Sequence, residues 1–377
     1  MMNCYAGRMR ILALDMGTGT QDILLFDSTQ PVENSVKMVL PSATQVAAGR
    51  IRRATAAGRA LLLTGVIQGG GPCAWALEEH FKAGGTAYAT PEAAKTFDDD
   101  LAQVERMGVR VVSDDEARAL GDVERVELRD LDLGAIRAAL AAFDVSPRFD
   151  GIALGCLDHG AAPPGYSDRL FRFEHLRRVV EARNDLLAFA YLPDALPAYL
   201  TRARAMVATA RRQDGETPIA FLDTGAAAAL GALQDPTVGS ADEQMVLNLG
   251  NMHALAFHLR GTRVISLYEH HTGEVTRAQL EDFTTRLLAG TLPHEDVFNS
   301  KGHGVFYAGG RAARADGATP IVAVTGPQRG KLRGSALRPY FATPHGDMMI
   351  SGCFGLLRAF GEAYPEHRDE IERALTS

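Results

Sequence analysis

The sequence predicts an α/β protein of two domains, and three observations carry that expectation. At 377 residues the chain is too long for one compact domain and suits two. Its first half alternates strand-like apolar runs with helical runs, the pattern of α/β layers. Two distant stretches also share one plan. "ILALDMGTGTQDILLFD" (11–27) and "MVLNLGNMHALAFHL" (245–259) each run apolar strand, polar end residue, Gly-containing turn, second apolar strand. Two such hairpins, about one domain apart, could face each other across a cleft and grip one anion from both sides.

In order along the chain, "ALLLTGVIQGGG" reads as a strand entering a glycine turn, and "PCAWALEEHFKAGG" as a helix with a glycine stop. "TAYAT" is a short strand, "PEAAKTFDDDLAQVERMG" a helix, "VRVVSDDEA" a strand and turn, and "LGAIRAALAAFD" a helix. "DGIALGCLDHG" is a strand ending in a polar loop, and 195–213 a long helix before the breaker "DGETP". The second half opens as a meander over 245–273, with turns at "GN" and "RGT". A helix, the strand "PIVAVTGPQRG" and a helical C-terminus follow. The expected division is 1–217 and 218–377.

Composition excludes several classes. The formal charge is −7, and no block of Lys and Arg points to nucleic acid. No apolar run is long enough to span a bilayer, and the apolar stretch after the basic N-terminus stops at Asp15, unlike a signal peptide. A cytoplasmic protein with no nucleic-acid or membrane partner is the expectation, with its oligomeric state open. Cys4, Cys73, Cys156 and Cys353 lie far apart and form no three-cysteine motif for an iron–sulfur centre, so reduced thiols are expected.

The first turn carries the chemistry. Glycines at 17 and 19 leave backbone N–H groups able to converge on phosphate oxygens, and Thr18 and Thr20 add hydroxyls. Asp15 would repel phosphate but suits a hydrated Mg²⁺, which keeps most of its waters and takes one or two carboxylates. No Gly-Lys-Ser/Thr follows, so this is not a Walker A loop. A plain hairpin with Gly and Thr as turn formers is the alternative.

"LALDMGTGTQDILLFD" resembles the first phosphate motif of the actin, heat-shock chaperone and sugar-kinase superfamily. "FLDTGAAAALGAL" (221–233) resembles the stretch before the second phosphate hairpin in carbohydrate kinases of the glycerol and xylulose kinase type. "LNLGNMHALAF", "VAVTGPQRG" and "HGDMMISGCFGLLRA" resemble, in order, the second hairpin, the adenosine-side loop and the final connecting helix. "CLDHG", "EHHTG", "KGHGVF", "VTGPQR" and "TPHGDMMISGCFGLL" together resemble a bacterial and archaeal family labelled as pyruvate formate-lyase activating proteins. The superfamily resemblance implies a two-domain actin-like ATPase (ribonuclease H-like) fold with a nucleotide cleft between the domains. It also implies ATP and Mg²⁺ as cofactors, and a cleft between two domains predicts their closure on ATP.

Carried over residue by residue, Asp223 is the general base toward the acceptor hydroxyl, with capping of the following helix as the other reading. Asp15 holds the metal hydrate. Gly17, Thr18, Gly19, Thr20, Asn248, Gly250, Asn251 and His253 grip phosphates, and Gly326 approaches adenosine. Asn and His in the second turn depart from the kinase pattern, as do Gln21 and Asp22 after the first; Asp22 could instead begin a strand facing solvent.

Histidine usage is the second signal. Seven of eleven histidines fall between His253 and His345. Asp158, His159, His270, His271 and His303 sit in Gly-flanked groups and are candidate ligands of a transition metal. Substrate contacts and structural roles are the alternatives. Adjacent strand residues point to opposite faces, so His270 and His271 cannot both serve unless the strand has ended. "GVIQGGGP" could hold an anion at a helix start, and "SDRLFRFEHLRR" (167–178) reads as a solvated arginine face or an anion clamp through Arg169 or Arg172. The expected function is ATP-dependent phosphotransfer to a small hydroxylated substrate. One alternative is an ATPase that activates a partner enzyme of radical or metal type; another is a non-catalytic nucleotide or metabolite sensor.

Overall fold

The computed structural model describes residues 8–310 and 320–376; Cys4 lies outside the described residues. The chain opens with a meander of β1 (Arg10–Met16), β2 (Thr20–Asp27) and β3 (Val36–Pro41). An inserted layer follows, in which β4 (Ala60–Gly65), β5 (Ala87–Ala89), β6 (Val109–Val111) and β7 (Val123–Leu128) form a parallel sheet of order β6-β5-β4-β7. The chain then returns to the first sheet through β8 (Gly151–Cys156), β9 (Ala190–Tyr191) and β10 (Ile219–Asp223), giving the order β3-β2-β1-β8-β10-β9.

The last sheet comprises β11 (Gln244–Leu249), β12 (His253–Arg260), β13 (Arg263–His271), β14 (Gly304–Tyr307), β15 (Ile321–Thr325) and β16 (Tyr340–Phe341), in the order β14-β13-β12-β11-β15-β16. It repeats the plan of the first. An antiparallel meander is joined on the free edge of its first strand by a later parallel strand, β8 beside β1 and β15 beside β11. This duplication is the two-domain actin-like, ribonuclease H-like fold.

Ile11, Leu12, Ala13 and Leu14 are fully buried, as a strand covered on both faces requires. Helices Thr224–Ala232 and Ser351–Ala363 lie between the two sheets, and one apolar core runs through them from Ile11 and Phe26 to Val246 and Phe257. They pass closely because small residues face each other. A Cβ on Gly231 would strike the Ser351 carbonyl.

Three expectations shift. The division at 217 cuts the first sheet, because β10 begins at Ile219 and pairs with β8. The helix expected across 91–108 breaks into Pro91–Ala94 and Leu101–Arg106, since Asp100 turns its carboxylate onto the Ala102 N–H and starts a new helix. The helix expected from 195 starts at Thr201, after a loop containing Pro197. Among the described residues no helix is long and apolar enough to cross a membrane.

Candidate functional site

The two Gly-containing turns meet. Gly17 N–H donates to the Thr20 carbonyl (3.0 Å) and Gly250 N–H to the His253 carbonyl (2.9 Å), so both turns close across four residues. Among the described residues no hydrogen bond engages the backbone N–H of Thr18, Gly19, Asn251 or Met252. The tips touch: a Cβ on Gly19 would run into the Asn251 side chain. Between them lies a cleft of about 80 Å³, walled by Asp15, Gly17, Thr18, Thr20, Asp22, Thr224, Asn248, Gly250, Asn251 and Gly326. That is room for ordered water.

Asp15 ends β1, and its Oδ1 accepts the Thr224 hydroxyl (2.6 Å). Its other oxygen lies where a Cβ on residue 352 would be, so Gly352 makes room for it. Burial, reinforced by Asp223 and opposed by the Thr224 bond, pushes the Asp15 carboxyl up to about 7. Asp22 stands opposite Asp15 across the hairpin. Burial first, then the Asp15 charge, pushes it up to about 8, and its Oδ1 is buried with no hydrogen-bond partner. Asp22 thus faces the cleft rather than open solvent. Among the described residues no Lys or Arg lines this cleft, and the nearby charge that favours the ionised form of Asp15 is that of Arg202.

Asp223 does not line this cleft. Its Oδ1 accepts the Gly225 N–H (2.9 Å), capping the helix, and its Oδ2 accepts from Arg172 Nη1 (2.6 Å). Both oxygens are engaged, and the residue lines neither cavity. Asp223, expected as a general base or as a helix cap, takes the cap role here and adds an ion pair, because the end of β10 points at a helix N-terminus and at Arg172. Arg172 is fully buried and also pairs with Glu269 (Nε–Oε2 3.3 Å), bridging β10 and β13. Arg169 donates to the Phe298 (3.0 Å) and Gly302 (2.5 Å) carbonyls. Neither arginine lies on a solvated face or is free to clamp an anion.

A larger cavity, about 950 Å³, opens between the first sheet and the inserted layer. Its wall includes Gly69, Gly70 and Gly71 ahead of the helix Pro72–Lys82, the loop Asp98–Asp99–Asp100, and Arg202. Gly17 and Thr18 line both this cavity and the small cleft. Arg202 is fixed by Asp130 (2.7 and 3.0 Å) and the Leu157 carbonyl (2.7 Å). Nothing in the sequence marks this pair, 72 residues apart.

The histidines separate into two sets. His159, His253, His271 and His303 each offer a ring nitrogen, all within 4.8 Å of one another. His270 does not join them. Its Nδ1 donates to the His271 carbonyl (3.0 Å) and its Nε2 meets Ser300 Oγ (3.2 Å), because strand alternation turns it to the other face. Asp158 does not join either, since its oxygens accept the Gly160 and Ala203 N–H groups (2.8 and 2.9 Å). His253, expected among the phosphate contacts, contributes only its carbonyl to the turn and sends its ring to the cluster. Burial is the main cause that pushes all four rings below the usual histidine range, His159 to about 3, so they stand as neutral donors.

No curated protein matches the sequence. Among solved structures the chain is similar to "Lmo2764 protein, a putative N-acetylmannosamine kinase, from Listeria monocytogenes", with 10% identity, 94% and 99% of the two chains covered and a TM-score of 0.34. It is also similar to a ROK hexokinase from Thermus thermophilus (13% identity, 98% of each chain, TM-score 0.27). A Ppx/GppA family member from Aquifex aeolicus is similar as well (9% identity, 95% and 92% covered, TM-score 0.27). The fold stands on the duplicated strand order, and these distant likenesses add nothing to it. Residues 68–331 match the family described as "Putative pyruvate format-lyase activating enzyme (DUF1786)", and the chain belongs to that family.

Proposed function

We propose that the protein is an ATP-dependent phosphotransferase: the phosphates of Mg-ATP lie between the two turns, and a small hydroxylated acceptor occupies the large cavity. One observation carries this reading. Gly17 and Thr18 line both spaces, so a phosphoryl group held at the first turn borders the acceptor cavity directly. The unengaged N–H groups of Thr18, Gly19, Asn251 and Met252 are suited to phosphate oxygens, and the hydroxyls of Thr18 and Thr20 add donors.

The residues fit Mg²⁺. Asp22 Oδ1 is an orphaned buried acceptor, Asp15 faces it, and among the described residues no Lys or Arg lines the cleft that holds the pair. Bound there, Mg²⁺ supplies charge neutralisation on the transferring phosphoryl group. Asp15, oriented by Thr224, and Asp22 would hold it. Asp223 has no direct part and serves by fixing the helix that carries Thr224. The acidic loop Asp98–Asp100 and the fixed donor Arg202 give the large cavity groups suited to a polyhydroxylated ligand.

Calorimetric titration with Mg-ATP, beside Asp15→Asn, tests the reading, with ADP release followed with and without a panel of small polyols. Magnesium-dependent binding in the native protein, lost in Asp15→Asn, and ADP release that requires a polyol are the expected results. Absence of binding at millimolar Mg-ATP overturns the reading. ADP release independent of any small acceptor supports an ATPase acting on a partner, which the word "activating" in the family description favours.

A further inference from the structure

The phosphate chemistry leaves the histidine cluster unused. We propose that His159, His253, His271 and His303 form a binding centre for one divalent first-row transition metal ion, which ties the two domains together. His159 lies in the loop after β8 of the first sheet, while the other three come from the last sheet: the start of β12, the end of β13 and the loop before β14. An ion held by all four cross-links the two halves of the fold.

The geometry is near a metal site as it stands. Metal–imidazole bonds of about 2.0–2.1 Å place neighbouring nitrogens of a tetrahedral site about 3.3 Å apart. His159 Nε2 and His253 Nε2 are 3.1 Å apart, and all four ligand atoms fall within 4.8 Å. The rings of His271 and His303 have centroids 4.7 Å apart, and His253 and His303 5.2 Å.

An independent observation points to a missing ligand. His303 is completely buried, and neither of its ring nitrogens has a hydrogen-bond partner. A buried imidazole normally satisfies both, since an unpaired polar group away from water is costly. A metal ion would satisfy one nitrogen.

The surroundings orient the rings as metal sites require. His271 Nδ1 donates to the Lys301 carbonyl (3.0 Å), which leaves its Nε2 with the lone pair. The backbone N–H of His303 donates to the Glu269 carbonyl (2.8 Å), and Arg169, from the helix Asp168–Ala182, grips the Gly302 carbonyl next to it (2.5 Å), which fixes the loop that carries the ring. An all-imidazole donor set suits zinc, nickel, copper, cobalt or ferrous iron and disfavours Mg²⁺ and Ca²⁺. His159 and His253 also line the large cavity, so the ion borders the acceptor space.

The test uses tag-free, full-length protein without nucleotide, so its failure is distinct from failure of the phosphotransferase reading. Metal content is measured by elemental analysis. Co²⁺ is then titrated into chelator-stripped protein, with its visible d–d absorption as the readout. One equivalent per chain is expected, displaced by Zn²⁺. His303→Ala and His271→Gln, checked for folding by circular dichroism, should each bind at least tenfold more weakly. His270→Gln should bind as the native protein does. X-ray absorption of the zinc-loaded native protein should find a first shell containing four imidazoles, which keeps the test valid if a variant does not fold. Native protein that takes up no stoichiometric cobalt, folded variants that bind as tightly as native, or a zinc shell without four imidazoles each overturn the proposal.

Discussion

Replacing Arg172 with Met tests how the halves of the molecule are joined. The guanidinium is fully buried, 2.6 Å from Asp223 Oδ2 and 3.3 Å from Glu269 Oε2, and reaches the Asp158 carbonyl at 3.4 Å. Glu269 is itself fully buried, and Asp223 is 5% exposed. Methionine has a similar apolar stem, so packing is largely kept, but two buried carboxylates lose their shared cation. Removing one member of a buried pair costs about 3–5 kcal/mol. Asp223 keeps its bond from the Gly225 N–H, so most of the cost falls on Glu269. The expected loss is toward the upper end, about 5 kcal/mol, large against the usual 5–15 kcal/mol of a folded protein. Urea unfolding followed by circular dichroism measures it. Adding Glu269→Gln removes the uncompensated charge and should restore about 2 kcal/mol or more. A loss below about 1 kcal/mol in Arg172→Met, or a double variant less stable than the single one, would refute the view that Arg172 alone compensates these buried carboxylates in a dry junction.

Four further outcomes follow from local geometry. Burial first, then the Arg172 charge, pushes His175 down to about 4 from 6.5, so the unfolded chain takes up the proton first as pH falls; the stabilisation is whole above 6.5 and drains away toward pH 4. That shift corresponds to about 3 kcal/mol at 1.36 kcal/mol per pH unit, and His175→Gln should flatten the acid limb of the stability–pH curve by this amount. Asp22 behaves oppositely. Its raised carboxyl makes the folded state hold a proton longer, so stability is whole below about pH 4 and falls as pH rises toward 8. Asp22→Asn, measured by thermal unfolding without magnesium, should therefore stabilise more at pH 8 than at pH 5. Gly231→Ala drives a methyl into the Ser351 carbonyl of the neighbouring helix and should cost about 1–3 kcal/mol by overpacking. Gly49→Ala, in the helix Ala43–Ala56 with its nearest neighbour 3.7 Å away, should gain about 0.5–1 kcal/mol. Chemical denaturation of both reads the difference in sign.

The hairpins were legible in the sequence because their signals are local. An apolar run closed by a Gly turn specifies strand, turn and returning strand within a score of residues, and β1–β2 and β11–β12 form where that pattern lies. The same local logic puts Asp15 at a strand end and separates His270 from His271 by strand alternation. What the sequence could not determine is convergence. Asp223 looks alike as a base or as a cap until Arg172, 51 residues away, occupies its second oxygen. The histidine that completes the cluster, His253, stands in a turn that reads as a phosphate contact, and its ring meets His159 across 94 residues of chain. The touching tips at Gly19 and Asn251, and the cavity beneath the inserted layer, arise from how separately formed sheets dock. Chain-local chemistry determined the two Gly-containing turns and the carboxylate of Asp15 at the end of the first strand. Only tertiary packing, which is set by long-range burial, decided that Asp223 is held by an arginine and that four histidines from two domains share one point.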